Sequence, residues 1–291
     1  MVDRILFHFD KKVLEWQWSA EHELLSAPFW TSCFLIDGLL IDSGAPGSVN
    51  DFRNFVINSL SERKIDKCII THSHEDHCGG AYILQPEFNI PVYASEKAIP
   101  LLKSKKDYPD YRQIAWGPKY IPVEAIPIGK SISTGKYNFD IFPMAGHAEE
   151  LITLIERDQQ WAFTTDAVMP NYIMIFGLDT DIPEDISVIY QSIKNLYEET
   201  EGLTKLQIIT SGKGIFKGRD FLKERLEEIE TLHEKAHDFQ KEGLNRGLNN
   251  KRLHRFVLKK LFKKESNVGR ITRGGLSIMN LVISLLDWPL E

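Results

Sequence analysis

The sequence predicts an α/β domain followed by a small helical appendage, and two patterns support this fold class. In the first part, short apolar runs such as Leu39–Ile41 alternate with segments whose apolar residues recur at three- and four-residue spacing, as in strands interleaved with amphipathic helices. After residue 218 only the helical spacing continues. We therefore expect an α/β domain over residues 1–218 and a helical extension over residues 219–291, in a chain long enough to bury a full core.

The first hundred residues are expected to open a sheet and then to alternate strands with helices. Loose alternation over Ile5–Trp18 predicts strand structure, and Asp37-Gly38 between two apolar runs predicts a hairpin. Apolar residues at helical spacing predict a helix over residues 47–62. Further strands are predicted at 67–70 and 91–94, with helices beginning near 81 and spanning 96–103.

The rest of the chain continues this alternation and then becomes helical. The segment Tyr108–Pro127 carries four prolines, so we expect irregular backbone there rather than a helix. Strands are predicted within 128–142 and at 152–155, 161–164 and 205–210, with a helix over 185–200. The extension is expected to contain a helix with Asp220 as its N-cap that runs until Gly243, a second helix beginning at Asn249 or Asn250, and a third over residues 276–286.

Charge is distributed unevenly along the chain. The formal net charge is −6, but residues 241–291 carry eleven Lys and Arg against four Asp and Glu, which gives +7 there and −13 elsewhere. Such a basic end predicts either an anionic partner or a solvated face that complements the acidic body.

No membrane span or disulfide framework is expected. The first residues lack a cationic segment followed by a long apolar stretch, and the longest apolar run, near 276–286, is about half of a spanning length. Three cysteines without a regular spacing argue against a disulfide scaffold or a Cys-rich zinc site. We expect a cytoplasmic protein.

The segment Thr71–Gly80, T-H-S-H-E-D-H-C-G-G, has the residue density of a metal site. His72 and His74 lie two positions apart, so their side chains point the same way in extended backbone, while Asp76 and His77 follow round a bend. The apolar run before the segment predicts that these side chains lie on a loop at the carboxyl end of a strand. Two adjacent metal positions are therefore indicated.

This segment resembles the T-H-x-H-x-D-H-x-G-G signature of the metallo-β-lactamase superfamily. The resemblance implies a four-layer αββα sandwich with one or two metal ions at one edge, and hydrolysis as the commonest activity. The helical extension is similar to that of the branch containing glyoxalase II-like hydrolases and β-lactamase-like protein 2.

The resemblance also implies further site residues. Asp42, in L-I-D-S-G, resembles the aspartate that supports the metal ligands; His147, in A-G-H, resembles a third histidine ligand, with Ala145 in place of the usual proline. Asp166 resembles the bridging carboxylate. The implied ligands of the first position are His72, His74 and His147, with Asp166 shared and with Asp76 and His77 at the second. This imidazole and carboxylate set suits zinc, with iron and manganese as alternatives, in one or two ions per chain.

Lys213 departs from the family pattern, because it occupies the place of the usual last histidine ligand in S-G-K-G. Three alternatives stay open. Lys213 is turned away and the second metal has fewer ligands; its ammonium pairs with Asp76 and Asp166 in place of that metal; or burial and a neighbouring metal make it neutral. We expect occupancy mainly at the first position, or a weakened second one. A charged Lys213 would hold an anionic group of the substrate.

The predicted function is hydrolysis of a small-molecule ester, thioester, lactone or phosphodiester by metal-activated water, with Asp76 orienting or deprotonating the water. The alternatives are a mononuclear iron dioxygenase resembling persulfide dioxygenases, a nuclease that holds RNA on its basic C-terminal helices, and a ligand-sensing pseudo-enzyme. No aromatic stacking motif accompanies the basic residues, which argues against nucleic acid. The apolar third helix of the extension suggests a homodimer.

Overall fold

We analysed a computed structural model of the chain, which describes residues 2–22, 28–104, 107–117 and 120–290. The described residues divide into two compact units. The first unit comprises residues 2–143, 149–166 and 206–216, and the second comprises 144–148, 167–205 and 217–290. Residues 167–205 therefore fold with the C-terminal helices, whereas the predicted boundary at residue 218 stays a prediction.

Strands and helices alternate through most of the described chain. The strands are β1 (Val2–His8), β2 (Val13–Ser19), β3 (Thr31–Ile36), β4 (Leu39–Ile41), β5 (Lys67–Ile70), β6 (Val92–Ala94), β7 (Ile126–Pro127), β8 (Ser131–Ser133), β9 (Asn138–Pro143), β10 (Ile152–Glu156), β11 (Trp161–Thr165), β12 (Ile175–Phe176), β13 (Gln207–Thr210), β14 (Gly214–Lys217) and β15 (Leu276–Ser277). The α-helices are α1 (Val49–Glu62), α2 (Glu75–Cys78), α3 (Leu84–Phe88), α4 (Ala98–Lys103), α5 (Asp110–Trp116), α6 (Ile186–Glu199), α7 (Gly218–Asn245), α8 (Asn250–Phe262), α9 (Asn267–Ile271) and α10 (Ile278–Asp287). Short 3₁₀ turns cover Pro46–Ser48 and Ala81–Ile83. The predicted α/β class is confirmed.

The first unit is built on two sheets. One follows chain order from β1 to β7, antiparallel as far as β4 and parallel from β4 to β7. The other has the order β14-β13-β11-β10-β9-β8. Apolar side chains of both sheets form one buried cluster, in which the rings of Phe34 and Phe163 meet edge to face at 5.4 Å between centroids. The first unit is therefore a sandwich of two sheets.

A second buried cluster covers the opposite face of the first sheet. The predicted helix over 47–62 is confirmed as α1, and its apolar residues Phe52 and Phe55 pack against Trp16 of β2 with ring centroids 5.7 and 5.4 Å apart. In the same sheet β4 pairs with β5 in parallel, with Ile41 opposite Ile69. The carboxyl ends of both strands consequently lie side by side.

The second unit is mostly helical, as expected for the residues after 219. Helix α6 begins where predicted, because the Asp185 side chain accepts hydrogen bonds from the backbone N–H groups of Ser187 and Val188. The predicted N-cap at Asp220 is wrong, since Lys217 is the N-cap of α7, the helix begins at Gly218 and Asp220 lies in its first turn. No helix in the part of the chain that the structure describes is both long and apolar enough to cross a membrane.

The expectation of irregular backbone throughout Tyr108–Pro127 is wrong, because α5 lies within it. Pro109 precedes the helix with extended backbone, and Gly117, at φ 99°, ends it. Pro109 therefore precedes the first turn of this short helix, where it costs no helical hydrogen bond.

A buried ion pair joins helix α5 to the segment Thr71–Gly80, which we call the metal-ligand segment. Arg112, which is 2% exposed, donates from Nε to Glu75 Oε1 at 2.6 Å and from Nη2 to Glu75 Oε2. Glu75 is the first residue of α2 and is 1% exposed. The two-point contact ties α2 to α5 and replaces the hydration that both charges lose on burial.

Removing one partner of this pair should destabilise the fold strongly. Arg112→Met leaves the Glu75 carboxylate buried without its cation, so we expect a loss of about 3–5 kcal/mol in the free energy of unfolding, measured by urea denaturation. The double variant Arg112→Met/Glu75→Leu should recover most of this loss.

The matched control is the surface pair of Arg53 and Glu87, which also has two-point geometry but is 31% and 38% exposed. Arg53→Met should cost about 1 kcal/mol or less. Equal losses for the two single variants would show that the buried pair of Arg112 contributes no more to the free energy of unfolding than the exposed pair of Arg53.

Candidate metal centre

The metal-ligand segment begins where β5 ends, as predicted. The ring centroids of His72 and His74 lie 4.6 Å apart, and those of His72 and His77 lie 4.1 Å apart. All three residues are at most 6% exposed. The segment therefore gathers three imidazoles into one buried cluster within the first unit.

Backbone contacts fix the shape of this segment. Thr31 Oγ1 donates to the carbonyl of Asp76 at 2.8 Å, and the Ser43 N–H donates to the carbonyl of His77 at 2.7 Å. Glycine is required at position 79 by crowding, because a Cβ there would lie 2.3 Å from Pro46 N. The segment is thus clamped to β3 and to the chain after β4.

The carboxylate of Asp42 binds Thr71 and His77 of the metal-ligand segment. Its Oδ1 accepts from Thr71 N at 2.8 Å; its Oδ2 accepts from Thr71 Oγ1 at 2.9 Å and lies 2.7 Å from His77 Nδ1. Since a carboxylate only accepts, His77 Nδ1 carries the proton and donates it to Asp42. The Nε2 atom of His77 therefore points away from Asp42, as a metal-binding imidazole requires.

Asp166 reaches the cluster from the end of β11. The pairing of β11 with β13 shifts register between Phe163 and Thr165, and Thr165 adopts φ 47°. This bulge redirects the chain, and Asp166 Oδ2 lies 3.2 Å from His77 Nε2. One ligand atom each of His72, His77 and Asp166 lies within 4.8 Å of the others.

Negative charge surrounds His77. Burial lowers the pKa of His77, but the carboxylates of Asp76, Asp166 and Asp42 outweigh burial, and this pKa stays well above its ordinary value. Burial also raises the pKa of Asp76 to about 6; His77 opposes this increase and Asp166 adds to it. A positive charge is therefore favoured in the space between these residues.

His147 belongs to the second unit, on the turn after β9. Gly146 adopts φ 126° and lies against Ile189. A Cβ on residue 146 would lie 2.6 Å from the backbone nitrogen of Ile189, so only glycine fits there. His147 Nδ1 contacts Glu184 Oε1, and Glu184 Oε2 accepts from Phe176 N at 2.7 Å. Glu184 thus orients His147 as Asp42 orients His77. The position of His147 beside His72 and His74 stays a prediction.

Lys213 lies on the turn between β13 and β14. Its Nζ is 4.4 Å from the ring centroid of Phe29, which is a cation–π contact. Within residues 2–22, 28–104, 107–117 and 120–290, Lys213 forms no ion pair with Asp76 or Asp166. Ser32 Oγ fixes the turn by accepting from Gly212 N at 2.8 Å.

Sequence reasoning missed three carboxylates that support the site. Glu150 Oε1 accepts from Ser73 N at 2.9 Å, Glu75 pairs with Arg112, and Glu184 holds His147. Glu75 lies inside the predicted segment, between the candidate ligands His74 and Asp76. Its charge in that position could have indicated from the sequence that it supports the site. Glu150 and Glu184 carry no local pattern that distinguishes them from surface acids.

The comparisons with known proteins agree with this architecture. The chain is 29% identical over 142 residues to a hydroxyacylglutathione hydrolase of Bdellovibrio bacteriovorus, covering 47% of this chain and 43% of that protein. It is 31% identical over 97 residues to ribonuclease J of Sinorhizobium meliloti, covering 33% and 16%. It is 30% identical over 79 residues to the probable metallo-hydrolase YflN of Bacillus subtilis, covering 25% and 28%. The chain thus spans less than half the length of each of these relatives.

Solved structures show the same fold. A metallo-β-lactamase from Pontibacter korlensis matches with a TM-score of 0.58 at 16% identity, covering 78% of this chain and 98% of that one. The metallo-β-lactamase FIM-1 from Pseudomonas aeruginosa, in its mono-zinc form, matches with a TM-score of 0.59 at 15% identity, covering 79% and 96%. The predicted sandwich with C-terminal helices is therefore confirmed. Because the family model of the metallo-β-lactamase superfamily matches residues 28–200, this chain belongs to that superfamily.

Proposed function

We propose that this protein is a metal-dependent hydrolase of a small-molecule ester, thioester, lactone or phosphodiester. The observation that carries the proposal is the group of His72, His77 and Asp166, in which both imidazoles are buried and the ligand atoms lie within 4.8 Å of one another. The relative named as a hydroxyacylglutathione hydrolase acts on an acylglutathione, which places thioesters first among the substrates to test.

The residues fit a divalent metal ion. Imidazole and carboxylate donors without a thiolate suit zinc, with iron and manganese as alternatives. Asp42 fixes the tautomer of His77 so that Nε2 is directed toward Asp166. We propose that His72 and His74, joined by His147, hold the first ion, and that Asp166 is shared with a weaker second position at Asp76 and His77.

Each of the remaining polar side chains has a separate task in this proposal. A bound metal lowers the pKa of a water molecule and polarises a carbonyl or phosphoryl oxygen. Asp76 accepts the proton of the attacking water, since its side chain is 13% exposed whereas that of His77 is fully buried. Lys213, whose ammonium stacks on Phe29, binds an anionic group of the substrate. This placement supports the alternative in which Lys213 is turned away from Asp76 and Asp166.

The activity is tested with zinc-loaded protein and a panel containing an acylglutathione, a lactone, an aryl ester and a phosphodiester. We expect hydrolysis of at least one substrate, and Asp76→Asn should lower kcat/KM by about 10²–10⁴-fold because the general base is lost. Asp66→Asn is the control, since Asp66 pairs only with the exposed Lys64 at the surface in the described structure.

Two outcomes would contradict the hydrolase. One is the absence of hydrolysis across the panel with zinc, iron or manganese. The other is iron-loaded protein that consumes oxygen with a persulfide, which would identify the dioxygenase instead.

Asp42→Asn should weaken metal binding without unfolding the chain. An amide nitrogen at the Oδ2 position cannot accept the proton of His77 Nδ1, so the imidazole loses its fixed tautomer. We expect the Kd for zinc, from competition with a chromophoric chelator, to rise about 10–100-fold. Circular dichroism should be unchanged, and Asp66→Asn should bind zinc like the wild type. Wild-type affinity in Asp42→Asn would mean that Asp42 has no role at the metal.

A further inference from the structure

The second unit carries an exposed basic surface on α8 and the residues that follow it. Its cationic side chains are all exposed and lie within 23 consecutive residues. They are Lys251, Arg252, Arg255, Lys259, Lys263, Lys264, Arg270 and Arg273. Glu265 is the one acidic residue in the same stretch. We call this set the basic surface.

The basic surface is not neutralised by the protein. In the described part of the second unit, none of its cations forms an ion pair with an acidic side chain. Neighbouring cations behave differently, because Lys260 and Arg246 both pair with Glu242, and Lys260 also lies over the rings of Phe239 and Phe256. In the described part of the unit, ion pairs therefore neutralise some cations but none of those of the basic surface.

Helix α8 carries its charges in an unfavourable arrangement. Lys251, Arg255 and Lys259 follow at four-residue spacing, so like charges are neighbours on one side of the helix. Lys251 and Arg252 also lie in the first turn, at the positive end of the helix dipole, with no acidic residue there. The apolar side of α8 is buried through Leu253 and Val257. An anionic partner on the outer side would relieve this repulsion.

Exposed aliphatic side chains interrupt the charges. Val268 and Ile271, three residues apart on α9, are 39% and 46% exposed, and Arg270 and Arg273 accompany them. A nucleic acid would neutralise the arginines but would gain little from bare aliphatic side chains, since single strands bind by stacking on aromatic rings. An anionic bilayer surface provides favourable contacts for both kinds of side chain. The cations bind anionic headgroups, and the aliphatic side chains enter the boundary between headgroups and acyl chains.

We propose that the basic surface, together with Val268 and Ile271, docks the protein onto an anionic phospholipid bilayer. The contact is peripheral, with α8 lying along the headgroups and α9 providing the apolar contact.

The test is flotation of the full-length protein with vesicles. We expect binding to vesicles of phosphatidylcholine and phosphatidylglycerol at about three to one, and at least about tenfold weaker binding to pure phosphatidylcholine. Raising the salt concentration should release the protein, because the surface charges are screened.

Two variants separate the two parts of the contact. Lys263→Gln/Lys264→Gln/Arg270→Gln/Arg273→Gln and Val268→Asn/Ile271→Asn should each weaken vesicle binding about tenfold or more. The matched control is Ile57→Asn/Leu60→Asn, which changes two aliphatic side chains of α1 that are 50% and 39% exposed. The control should bind like the wild type, and circular dichroism should show that all variants keep their helices.

Three results would overturn the proposal. The first is no binding to phosphatidylglycerol vesicles at low salt. The second is vesicle binding that Val268→Asn/Ile271→Asn leaves unchanged. The third is binding of single-stranded RNA that is tighter than vesicle binding, that weakens in the four-residue glutamine variant and that Val268→Asn/Ile271→Asn leaves unchanged, which would make this a nucleic-acid surface.

Discussion

The candidate metal centre depends on the buried contact between Asp42 and His77. Asp42 follows β4 at φ 63°, a left-handed conformation that costs a non-glycine residue about 1 kcal/mol or more. Three contacts at 2.7–2.9 Å, two from Thr71 and one from His77, hold it there. Because β4 and β5 are parallel neighbours, Asp42 at the end of β4 lies next to the metal-ligand segment at the end of β5. These hydrogen bonds offset the cost of the left-handed backbone at Asp42, and the one from His77 fixes the orientation of its imidazole.

Sequence reasoning recovered the residues whose position is set by the local chain. His72, His74 and His77 lie within six positions, so the end of β5 alone brings them together. Asp42 was expected because L-I-D-S-G resembles a family motif, and the structure places it at the end of β4, the strand that pairs with β5. Arg112 and Glu150 could not be found in this way, since they meet the segment across 37 and 77 residues of sequence. Such contacts depend on tertiary packing, which single-sequence patterns do not contain.

Lys213 gives the site a chemistry that differs from the family pattern. The turn that carries it is fixed through Ser32 to the first sheet, and Phe29 provides an aromatic face for the ammonium. A lysine in this position supplies charge and hydrogen-bond donors but no lone pair while protonated. In the site we propose, the second metal position would therefore have one ligand fewer, and the first position, with its imidazole ligands, would be the more strongly held of the two.

The most direct test of this account is elemental analysis of metal per chain in untagged protein, beside the same analysis of Lys213→His. We predict close to one equivalent in the wild type, rising toward two when the substituted imidazole completes the second position. Two equivalents in the wild type would contradict a second position weakened by the loss of the histidine ligand at Lys213. The absence of metal from both proteins would contradict the metal centre itself.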